Sequence, residues 1–469
     1  MTTISGNTPS RRTFLKHSAR ALATAPVIGA SLVGFGAGST SPASAAEAVP
    51  IAPESYPSWI EADGTLRVEV SAPQIVLPMG LQPSMLCTRS GALIVQGHIP
   101  QKPFPSPRIH YAAALVTVIS RDAGATWTRL PNKPGDNGLN LEGGMIQLRD
   151  GTILALDSYV TPGAKAGTGL GLLGVSQDDW QTLADPIEIG FELPGVDFGG
   201  STDDVGKPHA AQRLHRRILE LPDGDLLTTI YGWFQGDRTP VTYVPSMMKS
   251  RVVLVRSSDR GRTWRMISVV AADSSVGTEG FGEAVLTRIS RGKHEGRLLC
   301  FMRTGRELYE CSSDDDGKSW GAPRPRVMAG LDVHKTELWA DMFRHLKANN
   351  GRPLDETNPE ELKAAVVDPD LIELRRGLLV AAFGLRVPQK SCWPYFQHPW
   401  NGNYLAFSSD QGASWSNVMR VTSGVDTTHY MAIEETPTDN EIYMTYDFGS
   451  WGRKERGIRG RKVKILQKS

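Results

Sequence analysis

One eight-residue phrase recurs along the chain. It reads SRDAGATW at 120–127, SSDRGRTW at 257–264, SDDDGKSW at 313–320 and SSDQGASW at 408–415, with a worn fifth copy, SQDDWQTL, at 176–183. A chain that repeats itself every 55 to 95 residues or so builds one supersecondary unit several times and stacks the copies. Each residue of the phrase has a structural use. Asp and Gly make a tight turn, with Gly supplying a positive φ. The Asp and Ser/Thr side chains satisfy turn backbone groups, and the Trp packs between units. The phrase therefore predicts a fold staple and carries no chemistry.

The repeat is longer than the phrase. Upstream of each copy lies a strand pattern, a tight turn and a second strand pattern. The first three are QPSMLCTRSGALIVQGH from Gln82, EGGMIQLRDGTILALDS from Glu142 and HRRILELPDGDLLTTIY from His215. The others are EAVLTRISRGKHEGRLLCFMR from Glu283, DPDLIELRRGLLVAAFG from Asp368 and YMAIEETPTDNEIYMTY from Tyr430. A hairpin cannot bury both faces alone, so six of them predict an all-β, six-bladed β-propeller over 65–469. Either TLRVEV, 65–70, or the terminal RGRKVKILQ completes the last blade. ELWADMFRHLKANN and EELKAA, within 334–365, predict a short helical insertion.

These phrases are the Asp-boxes, or bacterial neuraminidase repeats, and the chain resembles the sialidase superfamily of six-bladed propellers from about residue 65 to 469. The resemblance implies a glycoside hydrolase acting on a terminal, acidic sugar. In four of the hairpins the turn Gly stands nine residues after a polar residue at the start of the first strand; the fourth joins them once four inserted residues are removed. The six polar residues, Gln82, Glu142, His215, Glu283, Asp368 and Tyr430, are expected to ring the central mouth and form a polar pocket. By resemblance Tyr430, in HYMAIEE, matches the family's nucleophile, and Glu283, in GEAVLTRI, the carboxylate that takes its proton. Arg303, in LLCFMRTG, matches one of three arginines that clamp the substrate carboxylate.

The chain departs from the family pattern in three places. No Arg stands in Gly80-Leu81-Gln82-Pro83, where the first clamp residue is expected, and none in HPWNGNYLAF, where the third is. Arg386, in FGLRVP, is the candidate substitute. The family's acid Asp has no match in HIPQKPFPSPRIHYAAA, which offers His98 and His110. The proton donor is therefore sought among His98, His110, His215, Glu142 and Asp368. A polysaccharide lyase using Tyr430 and a His, and a non-catalytic glycan-binding propeller, remain as rival readings.

Composition defines the surroundings. The first 46 residues hold Arg11, Arg12, Lys16 and Arg20 and no acid; beyond them 47 basic residues face 50 acidic ones. That balance speaks against a nucleic-acid partner. SRRTFLK, an apolar stretch and ASAA at 43–46 resemble a twin-arginine export signal over 1–46. A Pro- and Ala-rich linker is expected over 47–64. No other stretch reaches the ~20 apolar residues that span a bilayer. The sequence shows no His-x-x-x-His, CxxC or EF-hand spacing, so neither metal nor cofactor is expected. The expected protein is a periplasmic or extracellular monomer whose partner is carbohydrate.

Overall fold

Short apolar runs such as LLCFMR and LVAAFGLR form strands buried along their whole length, Leu298–Arg303 and Leu379–Arg386. A strand can be apolar on both faces only where its sheet is covered on both sides. This is the packing of a propeller-like, all-β array. The computed structural model describes residues 57–100, 113–130, 139–182, 184–198, 210–241, 244–334, 363–387, 400–422, 429–449 and 455–467. Among these, the helical content is a single 3-10 turn, Leu141–Gly143. The expected helical insertion falls almost wholly outside the described residues, and its last residue, Ala365, opens a strand.

Each sequence repeat is an antiparallel run in which neighbours in sequence pair in space. The first is Leu81–Cys87, Leu93–Pro100, Ala113–Ser120 and Thr128–Arg129. The fourth and fifth repeats form sheets of the same kind. The second and third are joined into one ten-stranded sheet by two pairings, Ile187–Glu192 in parallel with Thr263–Ala271 and Tyr159–Pro162 antiparallel with Gln212–Leu214. In the sixth repeat both terminal segments contribute: Gly457–Gln467 pairs with Glu441–Phe448 on one side and with Leu66–Val70 on the other. The N-terminal strand thus closes the array onto the C-terminal one. Ser58–Glu61, inside the stretch read as a linker, is a strand that pairs with Asn417–Arg420. Its SWIE sequence offers Trp59 to the buried Phe407, ring centroids 6.2 Å apart.

The core is divided rather than central. Six apolar clusters among the described residues each draw on two consecutive repeats. The last joins Val95 and Val116 of the first repeat to Tyr443 and Ile458 of the sixth. The tryptophans of the recurring phrase sit in these seams. Trp264 lies against Phe191 of the preceding repeat, Trp415 against Phe301 and Trp127 against Tyr443.

The phrase has one geometry in all five copies. It bridges the third and fourth strands. The Ser hydroxyl donates to the Asp carboxylate at 2.7–2.8 Å and accepts the N–H four residues on at 2.8–2.9 Å. The Asp then accepts the hydroxyl of the Ser/Thr four residues beyond it at 2.5–2.7 Å. Two successive residues take positive φ, for example Arg260 and Gly261 at 61° and 81°. In the worn copy Trp180 occupies the Gly position at φ 62°. Its buried indole fills the seam between the first two repeats, which the missing phrase-end Trp would otherwise fill. Packing there outweighs the backbone cost of about 1–2 kcal/mol for a left-handed residue.

The hydrogen bonds hold these carboxylates below their ordinary range, Asp122 and Asp315 at about 2. Their contribution is complete above the unfolded value near ~3.9 and is lost as pH falls toward 2. Asp315→Asn should therefore reduce the loss of stability between pH 4 and pH 2 relative to wild type, measured by urea unfolding across that window. Asp259→Ala should lower stability at pH 7 by about 1–2 kcal/mol, the usual cost of losing a capping side chain. An unmoved unfolding midpoint would remove the staple role.

Candidate active site at the mouth of the array

All six ring residues, Gln82, Glu142, His215, Glu283, Asp368 and Tyr430, are buried. Their placement has a repeated cause. Gln82, Glu283 and Asp368 hold positive φ, at 57°, 39° and 49°, and each sits where the pairing of the first two strands slips register. An inserted residue re-aims a side chain that regular pleating would turn into the sheet. Beside His215 and Tyr430 the positive φ falls on Arg216 and His429. A second tier comes from the mouth-side ends of the second strands: His98 opposite Leu81, Arg303 opposite Gly282, Asp447 donating its N–H to the Tyr430 carbonyl, and Arg386.

Tyr430 and Glu283, 147 residues apart, meet here. The phenol donates to Glu283 Oε1 at 2.7 Å. Arg303 Nη1 lies 2.6 Å from the same oxygen and 3.2 Å from the Tyr430 hydroxyl. The other side of that guanidinium meets Glu279, with Nε 3.0 Å from Oε2 and Nη2 3.0 Å from Oε1. Glu283 Oε2 accepts the Asp368 N–H at 3.0 Å. Burial works to raise the Glu283 carboxyl, but Arg303, His215 and these hydrogen bonds outweigh it and hold it below the ordinary range. Glu283 is thus an anion bonded to a phenol, as proton transfer from that phenol requires. Arg386 lies with its guanidinium carbon 5.5 Å from the centre of the Tyr430 ring.

Asp368 is an acceptor on both oxygens. One faces His215 Nε2 at 3.2 Å; the other takes the Met431 N–H at 2.7 Å and an ion pair with Arg216. His215 Nδ1 is buried without a hydrogen-bond partner among the described residues. A further set of charges links the third repeat to the fifth and sixth. Arg217 binds Asp370 through two nitrogens, both at 2.8 Å, and also pairs with Glu434.

Glu142, Gln82 and His98 form a separate group on the side of the first three repeats. Glu142 pairs with Arg213 at 3.0 Å, and Arg213 lies over the rings of Tyr159 and Tyr231. His98 Nδ1 is 2.8 Å from Gln82 Oε1, and burial holds this imidazole below its ordinary value. His110 lies outside the described residues. Two acids were not anticipated. Glu279 precedes the strand that carries Glu283. Asp447 is fully buried, accepts the Gln82 N–H at 2.7 Å, and is pushed well above the carboxylate range first by burial and then by the Asp368 charge. Its sequence signal was its place in YMTYDF, at the end of a second strand as Arg303 is in LLCFMR.

The donor atoms of His215, Glu283 and Asp368 lie within 4.8 Å of one another, a spacing a metal ion could bridge. Their chemistry does not fit one. The carboxylate oxygens already accept from Arg303, Tyr430, Arg216 and two backbone N–H groups, so a cation would have to displace two guanidinium ions.

No protein-family profile and no curated protein matches the chain. Among solved structures, a protein of unknown function from Dyadobacter fermentans DSM 18053 superposes with a TM-score of 0.55 at 18% identity, over 85% of this chain and 99% of that one. The Hadza microbial sialidase Hz136 gives 0.47 at 14%, over 83% and 66%, and the Penicillium chrysogenum alpha-L-arabinanase complexed with arabinobiose gives 0.46 at 13%, over 89% and 99%. The first likeness establishes the fold alone. The glycosidase likenesses are too distant to carry an argument about chemistry.

Burial, with the charge of Asp370 adding to it, pushes the Glu434 carboxyl up to about 7 against the pull of Arg217. A carboxyl raised on folding contributes fully below its unfolded value and costs stability as pH rises toward 7. Glu434→Gln keeps a hydrogen-bond acceptor for Arg217 and should be more stable than wild type at pH 8 by about 1–3 kcal/mol, with the difference shrinking toward pH 4. Urea unfolding at the two pH values checks this; a constant difference would contradict it.

Proposed function

We propose that the chain is an exported, six-bladed propeller glycoside hydrolase that removes a terminal sugar with retention of configuration. In this reading the ten-stranded sheet is two blades sharing an edge, residues 1–46 are a twin-arginine signal, and the mature protein is a monomer. The observation that carries the activity is the Tyr430–Glu283 contact, 2.7 Å long and buried, made by two residues from different sheets with Arg303 touching both.

The chemistry follows from that contact. The Tyr430 oxygen attacks the anomeric carbon while its proton passes to Glu283. The bond to the leaving oxygen breaks, and that oxygen takes a proton from His215. Asp368 holds Nε2 of this imidazole, which leaves Nδ1 as the nitrogen that exchanges a proton. Water then attacks the glycosyl–tyrosine, Glu283 returns its proton to the phenol, and His215 takes one from the water. Gln82, His98 and Glu142, with Arg213, are assigned to sugar hydroxyls on the opposite side of the mouth. A lyase reading draws on the same unpartnered His215 Nδ1, which would serve as well to move a proton from a ring carbon.

A panel of aryl sialosides, uronides and neutral glycosides tests the proposal. Tyr430→Phe and Glu283→Gln should each lower turnover of the accepted substrate at least ~100-fold while leaving the melting temperature within a few degrees. Turnover within a few-fold of wild type in Tyr430→Phe would contradict it, and an ultraviolet-absorbing unsaturated product would select the lyase.

A further inference from the structure

Arg303 was expected to grip a substrate carboxylate, as its position in the family pattern implies. Its surroundings assign it otherwise. A guanidinium recognises a carboxylate through two parallel N–H groups on one edge. In Arg303 the Nε/Nη2 edge faces Glu279: Nη2 donates to Oε1 at 3.0 Å, and Nε lies 3.0 Å from Oε2 in an ion pair that lacks hydrogen-bond geometry. Nη1 is aimed at Glu283 and the Tyr430 hydroxyl. Both partners are nearly as deeply buried as the arginine, with side-chain exposures of 12% for Glu279 and 9% for Arg303 and Glu283.

The backbone builds this clamp. Gly277 and Gly280 take positive φ on either side of Thr278-Glu279, and Thr278 and Glu279 both donate their N–H groups to the Thr304 carbonyl, at 2.9 and 3.1 Å. Gly305, two residues after Arg303, stands against Thr278 Oγ1 and the Glu279 side chain, where an added Cβ would collide. The loop is therefore pinned to the end of the strand that carries Arg303. Two of the other mouth arginines are paired as well, Arg213 with Glu142 and Arg216 with Asp368, while Arg386 lies with its guanidinium carbon 5.5 Å from the centre of the Tyr430 ring.

We infer that Arg303, positioned by Glu279, is the electrostatic partner of the Tyr430–Glu283 nucleophile and is withheld from the substrate, so that the sugar bound beside Tyr430 carries no carboxylate there. The inference rests on the hydrolase reading for its substrate class. The placement of Arg303 stands independently of turnover. A cation 3.2 Å from the phenol oxygen stabilises the charge that develops there as the proton passes to Glu283.

Two measurements on the full-length protein test it, and neither needs a glycoside to be cleaved. In the first, a small arylsulfonyl fluoride labels tyrosine as a phenolate: an O–S bond forms, the S–F bond breaks and fluoride leaves. Labelling of Tyr430, followed by peptide mass spectrometry from pH 6 to 9, should slow about tenfold or more in Arg303→Met and shift to higher pH. Arg303→Lys, which keeps the charge, should restore most of the rate and guards against a misfolded Met variant. An unlabelled Tyr430 in wild type, or a rate indifferent to Arg303→Met, overturns the inference.

In the second, calorimetry with a 2,3-unsaturated sialic acid analogue should give no binding heat with wild type and a measurable one with Glu279→Ala, whose guanidinium edge is exposed. Wild-type binding that Arg303→Met abolishes would restore the substrate clamp, and failure of Glu279→Ala to gain binding would remove Glu279 from the account. If no glycoside of any kind is turned over, the hydrolase reading fails while both of these results keep their meaning.

Discussion

Five charged side chains tie the third, fifth and sixth repeats together, and the mouth is built on them. Arg216 and Arg217, from the third repeat, reach Asp368 and Asp370 in the fifth and Glu434 in the sixth. Removing such groups from water is costly; Arg217 and Arg216 offset that cost for Asp370, which they hold ionised against its burial, whereas for Glu434 burial outweighs the pull of Arg217. The benefit is register. Asp370 also accepts the Ile433 N–H and Asp368 the Met431 N–H, so the innermost strands of the fifth and sixth repeats cannot slide past each other without stranding charge. Tyr430 is next in chain to Met431, and its distance from Glu283 depends on that lock.

Apolar seams alone would hold the repeats together but would not aim side chains. The aim comes from the bulges at Gln82, Glu283 and Asp368, where positive φ in residues with a side chain costs energy that the surrounding sheets supply. The same bulge in three repeats argues for selection on the mouth rather than for local accident. Division of labour follows: the repeated phrase secures the outer strands, the charges between repeats secure the inner ones, and the bulged residues are left to face the mouth.

Much of this was legible in the sequence. Hairpins and phrases give the repeat, and the constant spacing of a polar residue from its turn places Glu283, Asp368, His215 and Tyr430 around one point. That works because strand position converts directly into height along the axis. Other features escape for physical reasons. Glu279 lies in a loop, where no periodicity applies, and its partner Arg303 is 24 residues away. Asp447 belongs to the second strand of its hairpin, and only a register map shows that this end also reaches the mouth. The edge shared by the second and third repeats depends on outer strands pairing between units, which no pattern within one unit encodes. In the worn phrase the missing end Trp reads as a loss, yet Trp180 fills the seam from three residues earlier.

In the proposed hydrolysis the Tyr430 oxygen becomes bonded to sugar. Incubation with 2-deoxy-2-fluoro glycosyl fluorides, followed by intact-mass and peptide analysis, tests it most directly. Retaining hydrolysis through Tyr430 should give an adduct of one fluoroglycosyl unit on the peptide containing Tyr430, absent in Tyr430→Phe, and a product of retained configuration when turnover is followed by proton NMR. An inverted product with no adduct, or an adduct on another residue, would contradict it.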